Sequence, residues 1–378
     1  MKDEEIFKDI DNRCLRLFDL IFVNGSYTNS ELLHITKMKK STLLRSMKIL
    51  MENNLVVDTA VGESTGGRRP TVFDVNINKY YLIGVDISRT YVDIVVTDLK
   101  MNVIKYKQLQ AAFEYERNVN IISEEIISIY NGISPLFKVI GIGISIVGIE
   151  EKIKNNIISI EKKLSEKLNI PIFTEHGASA AVMLEHHIGH GKGMENVSYI
   201  NCGVGIRTGS ICNGKLVKNI MEDALGHNII DIDGELCKCG NYGCLQNYVS
   251  IEKIKNRYIS EMKKWKKGAE ITYKDVCDLA EENDEIAKYI IKDAAVYFGT
   301  VMANFIKMLN QQLIILSGPL INNSNIFYDF ATSTALKKSP GYEVKFIRGG
   351  YFENKSMAVG AAYSAFYRIM QQYKGEDI

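Results

Sequence analysis

The sequence has almost no net charge and no long apolar segment. Its 378 residues include 46 Lys and Arg against 45 Asp and Glu, so the formal net charge is +1. A nearly neutral chain has no general field that attracts nucleic acid or a membrane surface. No apolar run reaches membrane-spanning length, and the acidic start, Met1 to Glu5, lacks the hydrophobic region of a signal peptide. These absences predict a cytoplasmic globular protein of two or three domains.

Cysteine is also scarce, and its seven copies are unevenly placed. Cys237, Cys239 and Cys244 lie close together, and His227 precedes them by ten residues. Three thiolates and one imidazole form the ligand set of a closed, structural tetrahedral zinc site. The alternative is four unrelated reduced residues. The remaining cysteines lie among apolar neighbours and are predicted to be buried free thiols of a reducing compartment: Cys14, Cys202, Cys212 and Cys277.

Glycine supports the zinc interpretation. Gly240 and Gly243 lie between the second and last of these cysteines and supply the conformational freedom that a tight metal-binding turn needs. Because four protein ligands fill a tetrahedral site, no position remains at which the metal would activate water. The predicted zinc is therefore structural.

Positive charge is concentrated near the N-terminus. Positions 37 to 69 carry seven Lys and Arg against three acidic residues, whereas the preceding 36 residues carry four basic and seven acidic ones. A basic stripe in an otherwise neutral protein is typical of a surface that binds phosphate.

A helical pattern underlies this stripe. Apolar residues from Cys14 to Ile21 share one face of a first helix, and Thr28 with Glu31 forms a capping box for a second. A third helix over residues 41–53 turns Leu43, Met47 and Leu50 inward. We predict a helix-turn-helix whose third helix enters the major groove of DNA. Its predicted DNA-contacting residues are Lys39, Lys40, Ser41, Thr42, Arg45 and Lys48.

Two short strands follow, at 55–57 and 71–75, and enclose a glycine-rich hairpin that ends in Arg68 and Arg69. This pattern predicts a wing whose arginines contact the minor groove or the backbone. The alternative for the whole segment is a small helical cap with a solvated basic face.

The rest of the chain alternates strands and helices in two similar halves. Buried strands are predicted at 81–86, 138–145 and 197–205, and long helices at 250–262 and 285–309. The pattern predicts an α/β, two-lobed architecture with a cleft. The expected domains are 1–78 (winged helix-turn-helix), 79–195 with the C-terminal helix 357–378 (lobe I), and 196–356 (lobe II with the zinc knuckle).

The run from Gly226-His227 to Cys237-Lys238-Cys239-Gly240 and Gly243-Cys244-Leu245 resembles the signature of the ROK family (repressors, open reading frames, kinases). The Gly-Gly-Arg-Arg-Pro hairpin resembles that family's repressor branch, and the likeness covers nearly the whole chain. It implies an actin-like (ribonuclease-H-like) two-lobed domain after the winged helix-turn-helix. It also implies that zinc is held by His227, Cys237, Cys239 and Cys244.

The chain departs from the ROK kinases at their reactive positions. Their Asp-x-Gly-Gly-Thr phosphate loop corresponds to Asp86-Ile87-Ser88-Arg89-Thr90, and Gly177 stands where the kinases have the catalytic Asp. A glycine cannot accept the proton of a sugar hydroxyl, and losing a general base lowers the rate by about 10²- to 10⁴-fold. The resemblance therefore predicts a protein that is not an enzyme.

The ligand pocket is altered as well. Ala224 replaces a carboxylate that holds sugar hydroxyls in the family, and Gln246 replaces a Glu. The pocket is expected to take a sugar derivative, a different small molecule, or nothing. The residues expected to surround such an effector are Gly148, His176, Gly177, Ala224, His227 and Gln246.

The sequence thus predicts a sequence-specific DNA-binding transcriptional regulator, a repressor of sugar-metabolism genes, with a catalytically degraded sugar-kinase-like sensor domain. Its expected partners are a double-stranded DNA operator and a sugar-like effector, without a membrane, and it is expected to form a homodimer or a dimer of dimers. Two alternatives remain, an ATP-dependent ROK sugar kinase and a regulator that is controlled by a protein partner.

Overall fold

The computed structural model describes residues 7, 9–60, 71–88, 91–110, 116–134, 137–146, 151–218, 223–263 and 271–373. The chain divides into two compact units. The first unit comprises Met1–Ser145, Lys154–Glu175 and Ala361–Ile378, and the second unit comprises Ile146–Ile153 and His176–Gly360. None of the helices in the described ranges is both long enough and apolar enough to traverse a bilayer.

The elements of the first half of the chain are α1 (Asn12–Asn24), β1 (Tyr27–Thr28), α2 (Asn29–Thr36), α3 (Lys40–Glu52), β2 (Val56–Ala60), β3 (Thr71–Val75), β4 (Tyr80–Ile87), β5 (Val92–Asp98), β6 (Val103–Leu109), α4 (Glu116–Ile133), β7 (Lys138–Ile146), α5 (Glu151–Lys167), β8 (Ile172–His176) and α6 (Gly177–His187). The second half contains β9 (Val197–Cys202), β10 (Ile206–Cys212), β11 (Lys215–Leu216), a 3₁₀ turn (Ala224–His227), α7 (Gln246–Val249), α8 (Ile251–Lys263), α9 (Tyr273–Glu281), α10 (Glu285–Leu309), β12 (Leu313–Ser317), α11 (Pro319–Asn323), α12 (Asn325–Lys338), β13 (Lys345–Arg348), a second 3₁₀ turn (Glu353–Lys355) and α13 (Ser356–Gln372).

Three helices and a small sheet open the first unit. Helix α1 begins after Asp11, whose carboxylate accepts the backbone N–H groups of the first turn, and it ends at Gly25, where φ is 92°. Helices α2 and α3 follow, and the sheet has the strand order β1-β3-β2. Strands β2 and β3 are antiparallel and pair from Val56 opposite Val75 to Ala60 opposite Thr71. The three helices and the strands β2 and β3 follow one another as the sequence predicted, whereas strand β1 was not predicted.

A capping box starts α2. The Thr28 hydroxyl accepts the Glu31 backbone N–H at 3.3 Å, and the Glu31 carboxylate accepts the Thr28 backbone N–H at 2.7 Å. Hydrogen bonds from the Thr28 backbone and then from its hydroxyl lower the pKa of Glu31. The predicted capping box is confirmed.

Replacing Thr28 with Ala should lower the free energy of unfolding by about 1 kcal/mol at pH 7, because the N-terminal N–H groups of α2 lose an acceptor. The contribution of Glu31 is present above its unfolded pKa and is lost as the pH falls through its lower folded pKa. The loss of unfolding free energy caused by Thr28→Ala should therefore be smaller at acidic pH. Denaturant melts at pH 7 and pH 3 measure it, and Thr28→Ser should retain stability. An equal penalty at both pH values would contradict the role of Glu31.

Aromatic side chains join the first helix to the last. The rings of Phe18 and Phe366 lie 5.7 Å apart, and Phe22 stacks on Tyr363 at 6.1 Å with an interplanar angle of 15°. Near the chain ends, the backbone N–H of Phe7 donates to the Tyr373 hydroxyl at 3.1 Å. Such ring pairs contribute beyond the area that they bury. The N-terminal helices are therefore packed into the first unit.

The two units contain sheets of the same design. The first sheet has the order β6-β5-β4-β7-β8 and the second the order β11-β10-β9-β12-β13. In chain order, the first three strands of each sheet form an antiparallel meander: β4, β5 and β6 in the first sheet, and β9, β10 and β11 in the second. The fourth strand along the chain then pairs in parallel with the first, β7 with β4 and β12 with β9. The prediction of two similar α/β halves is confirmed in this strand order.

Small residues let helices lie close to the sheets. A Cβ at Gly143 of β7 would lie 1.8 Å from the carbonyl oxygen of Ala361 in α13, and one at Gly209 of β10 would lie 2.2 Å from the carbonyl oxygen of Ala178 in α6. Because α6 packs on β9 and β10, the units divide between Glu175 and His176. The predicted lobe boundary, at residues 195 and 196, lies twenty residues later in the chain.

Candidate functional site

One group of metal-ligating side chains is present in the described part of the second unit. Ligand atoms of His227, Cys237, Cys239 and Cys244 all lie within 4.8 Å of one another. The Sγ atoms of Cys239 and Cys244 are 3.6 Å apart, and Nδ1 of His227 is 3.5 Å from Sγ of Cys237. Zinc–sulfur bonds of about 2.3 Å in a tetrahedron separate two sulfurs by about 3.8 Å. The size and the chemistry of the donor set therefore suit zinc.

Backbone geometry brings these ligands together. The Cys237 N–H donates to the Asn241 carbonyl at 2.7 Å, and the Gly240 N–H donates to the Cys237 carbonyl at 2.9 Å, which closes a tight turn. Gly243 has a φ of 64°, and a Cβ there would lie 1.5 Å from the carbonyl oxygen of Asp231. Only glycine fits that position. The two glycines singled out in the sequence thus form the turns of this loop.

Two further side chains contact the ligands. Oδ2 of Asp223 lies 3.3 Å from Nε2 of His227, and Nε2 of Gln246 donates to Sγ of Cys237 at 3.1 Å. Burial alone would raise the pKa of the Cys237 thiol, but hydrogen bonds from the Cys239 backbone and from Gln246 outweigh it and lower that pKa to about 7. Burial, followed by the neighbouring thiols, raises the pKa of Cys244 to about 12. A metal that binds here must therefore displace a proton from Cys244.

Helix α3 presents a polar face beside a buried one. Leu43, Met47 and Leu50 are buried, as the sequence predicted. The helix begins one residue earlier than predicted, at Lys40, and Lys39 is its N-cap. Thr42 is half-buried, and the other predicted DNA-contacting residues of this segment are exposed: Lys39, Lys40, Ser41, Arg45 and Lys48.

Lys48 forms only a weak ion pair, with Glu52. Its Nζ lies 3.6 Å from Glu52 Oε1, and the two side chains are 75% and 61% exposed. An ion pair this exposed contributes about 0–1 kcal/mol, so it does not compete strongly with a phosphate. The predicted wing arginines, Arg68 and Arg69, lie outside the described residues.

The residues predicted to bind an effector are spread over several elements. His176 ends β8 and is the N-cap of α6, and Gly177 is the first residue of that helix. Ala224 and His227 bound the first 3₁₀ turn, and Gln246 begins α7. His227 and Gln246 both contact Cys237, so the structure brings these two to the metal-ligating group. Gly148 lies outside the described residues.

The positions that the sequence analysis matched to the kinase machinery lie in the first unit and at the start of α6. Asp86 is buried and accepts a hydrogen bond from the Ser145 hydroxyl. Ser88 is buried, whereas Arg89 lies outside the described residues. Gly177 is buried at the start of α6, and the neighbouring Glu175 carboxylate forms a 2.8 Å ion pair with Arg368. The Glu175 carboxylate is therefore held by a cation.

Two of the contacts described above were not predicted from the sequence, Asp223 with His227 and Glu175 with Arg368. Asp223 precedes His227 by four residues, a spacing that signals a helical-turn contact and could have been noticed. The pairing of Glu175 with Arg368 joins residues 193 positions apart and leaves no local signal.

Comparisons with known proteins identify the family. The ROK family model matches residues 82–366. The xylose repressor of Bacillus spizizenii is 29% identical over 338 residues, which cover 85% of each chain. A solved ROK family transcriptional regulator, a homolog of the E. coli MLC protein, has a TM-score of 0.76 at 21% identity and covers 96% of this chain and 95% of that chain.

A ROK family glucokinase from Streptomyces griseus, solved with glucose and AMPPNP, has a TM-score of 0.64 at 22% identity. It covers 76% of this chain and 99% of that chain, so the kinase accounts for the two-sheet fold but not for the full length of this chain. The family model likewise covers both five-stranded sheets. The fold and the matched residues confirm the resemblance found in the sequence, and the chain belongs to the ROK family.

Proposed function

We propose that the protein is a sequence-specific DNA-binding transcriptional regulator that represses sugar-metabolism genes. The relatives that match most of its length support this proposal, because they bear the names xylose repressor, Mlc and N-acetylglucosamine repressor. The observation that carries it is the exposed basic and hydroxyl-bearing face of α3.

The N-terminal part would act as a winged helix-turn-helix. Helices α2 and α3 would form the helix-turn-helix, and strands β2 and β3 would lead into the wing. Helix α3 would enter the major groove, where Arg45 can donate two hydrogen bonds to a guanine. Lys40 and Lys48 would contact phosphates, which adds affinity without sequence preference. Arg68 and Arg69 would add wing contacts. Paired recognition helices are needed for half-sites one DNA turn apart, so we propose a homodimer or a dimer of dimers.

The two-sheet part would sense a ligand and would not catalyse phosphoryl transfer. Gly177 has no side chain to accept a proton, and Glu175 is paired with Arg368 at 2.8 Å. The proposed effector is a sugar or a sugar derivative, with His176, Ala224 and Gln246 among the residues that surround it. A structural zinc ion bound by His227 and the three cysteines would stabilise the loop from His227 to Cys244.

DNA binding can be tested by fluorescence anisotropy with a labelled duplex from upstream of the gene and a scrambled duplex. The intact protein should prefer the specific duplex. Arg45→Ala should weaken specific binding by about 10- to 100-fold, equivalent to about 1–3 kcal/mol, and leave non-specific binding nearly unchanged. Lys48→Ala should weaken binding to both duplexes alike and lower the salt slope by about 1.

Arg16→Ala is the matched control, since Arg16 is an exposed arginine of α1 and is not part of α3. Equal affinity of the intact protein for both duplexes, or an Arg45→Ala variant as specific as the intact protein, would overturn the proposal. Release of ADP in the presence of ATP and a panel of sugars would instead favour the alternative that the protein is an ATP-dependent sugar kinase.

A further inference from the structure

The two ring nitrogens of His227 face different partners. Nδ1 lies 3.5 Å from Sγ of Cys237, whereas Nε2 lies 3.3 Å from Oδ2 of Asp223. Nδ1 is therefore the atom directed at the metal-ligating group, and the proton of a neutral imidazole belongs on Nε2, where the carboxylate accepts it. A carboxylate in this position fixes both the tautomer and the orientation of a metal-binding histidine.

A different element supplies the second contact. Gln246, the first residue of α7, donates from Nε2 to Sγ of Cys237 at 3.1 Å. An amide can donate a hydrogen bond to a thiolate, whereas a glutamate carboxylate can only accept one. A donated N–H stabilises negative charge on the Cys237 sulfur.

We propose that Asp223 and Gln246 form an outer coordination shell that positions His227 and Cys237 and sets how tightly the knuckle holds its metal. The proposal rests on the proposed zinc site. Asp223 holds the His227 ring with Nδ1 toward the metal-ligating group, and Gln246 holds Sγ of Cys237 through its amide N–H. Both are positioning residues, since neither donates an atom to the metal.

Two residues of the predicted effector pocket take part in these outer-shell contacts. His227 and Gln246 were expected to meet an effector, yet the polar atoms described above are turned toward Asp223 and Cys237. A ligand hydroxyl that takes a hydrogen bond from either residue must compete with the outer shell. Binding of an effector to His227 or Gln246 and binding of the metal are then thermodynamically linked.

Zinc transfer from the loaded full-length protein to a chromogenic chelator measures the proposed effect. Gln246→Met removes the donor at similar volume, and Asp223→Asn removes the carboxylate. Both variants should release zinc about 10- to 100-fold faster than the intact protein. Gln312→Glu is the matched control, because Oε1 of Gln312 only accepts N–H bonds, from Glu195 and Asn196, and a carboxylate retains them.

Cobalt substitution gives a readout that does not depend on stability. In the cobalt-loaded protein, Gln246→Met should shift the sulfur-to-cobalt charge-transfer band, because the N–H bond to Cys237 is lost, and Gln312→Glu should not. Release rates within twofold of the intact protein for both variants, with an unshifted cobalt band, would overturn the outer shell while leaving the zinc site intact. An intact protein that binds no zinc would overturn both.

Discussion

Replacing Cys244 with Ser should reduce bound zinc from one ion per chain to a small fraction. Cys244 is fully buried and contributes one of the four ligand atoms that lie within 4.8 Å of one another. Three remaining ligands leave an open position that water fills, and a closed structural site loses much of its binding free energy, which is about 10–16 kcal/mol in isolated zinc modules. Mass spectrometry of the desalted protein measures the zinc content.

The loop around the site should lose its structure together with the metal. The apolar side chains Ile232, Leu236 and Tyr242 of this loop are exposed and add little packing. Proteolysis within residues 228–245 should therefore accelerate when the metal is lost. Cys212→Ser is the matched control, because Cys212 is outside the cluster and a serine can still accept the Gln311 amide. Full zinc content in Cys244→Ser, or equal loss in Cys212→Ser, would contradict the proposed ligand set.

Opposite effects are expected from the same substitution at two glycines of the first unit. Gly143→Ala places a methyl group 1.8 Å from the Ala361 carbonyl oxygen, so α13 must move away from β7. Overpacking of this kind lowers stability by about 1–3 kcal/mol or more. Gly132→Ala in α4 meets nothing within 4 Å and should raise stability by about 0.5–1 kcal/mol, because alanine favours a helix.

Thermal and denaturant melts of the two variants compare these effects directly. The movement of α13 should also disturb the rings that join it to α1, so the near-ultraviolet circular dichroism should change in Gly143→Ala and not in Gly132→Ala. A Gly143→Ala protein as stable as the intact one would show that α13 does not lie against β7 as closely as described.

Features with a local cause could be predicted from the sequence. The capping box depends on residues three apart, and helix α10 has the predicted bounds of 285–309 because its apolar pattern is regular over 25 residues. The metal-ligating group was found because its chemistry and spacing are specific. The alternation of strands and helices predicted two similar α/β halves, and the two five-stranded sheets confirm them.

Features that depend on distant contacts could not be predicted. Helix α12 buries only Phe327, Ala331 and Ala335, too sparse a pattern to indicate a helix, and it is held by packing on α10. The boundary between units follows from the approach of α6 to Gly209, which joins residues about thirty positions apart. The direction of the Gln246 amide depends on the folded loop, because the same side chain can turn toward a ligand or toward Cys237.

The contact between the first and last helices has a consequence for synthesis. Phe18 and Phe22 of α1 pack on Tyr363 and Phe366, which leave the ribosome more than three hundred residues later. At about 5–20 residues per second, that interval is roughly 20–70 s. During it, the aromatic face of α1 is without the partners that cover it in the finished protein. A prematurely terminated chain lacks Tyr363 and Phe366 and therefore leaves that face open to chaperones and proteases.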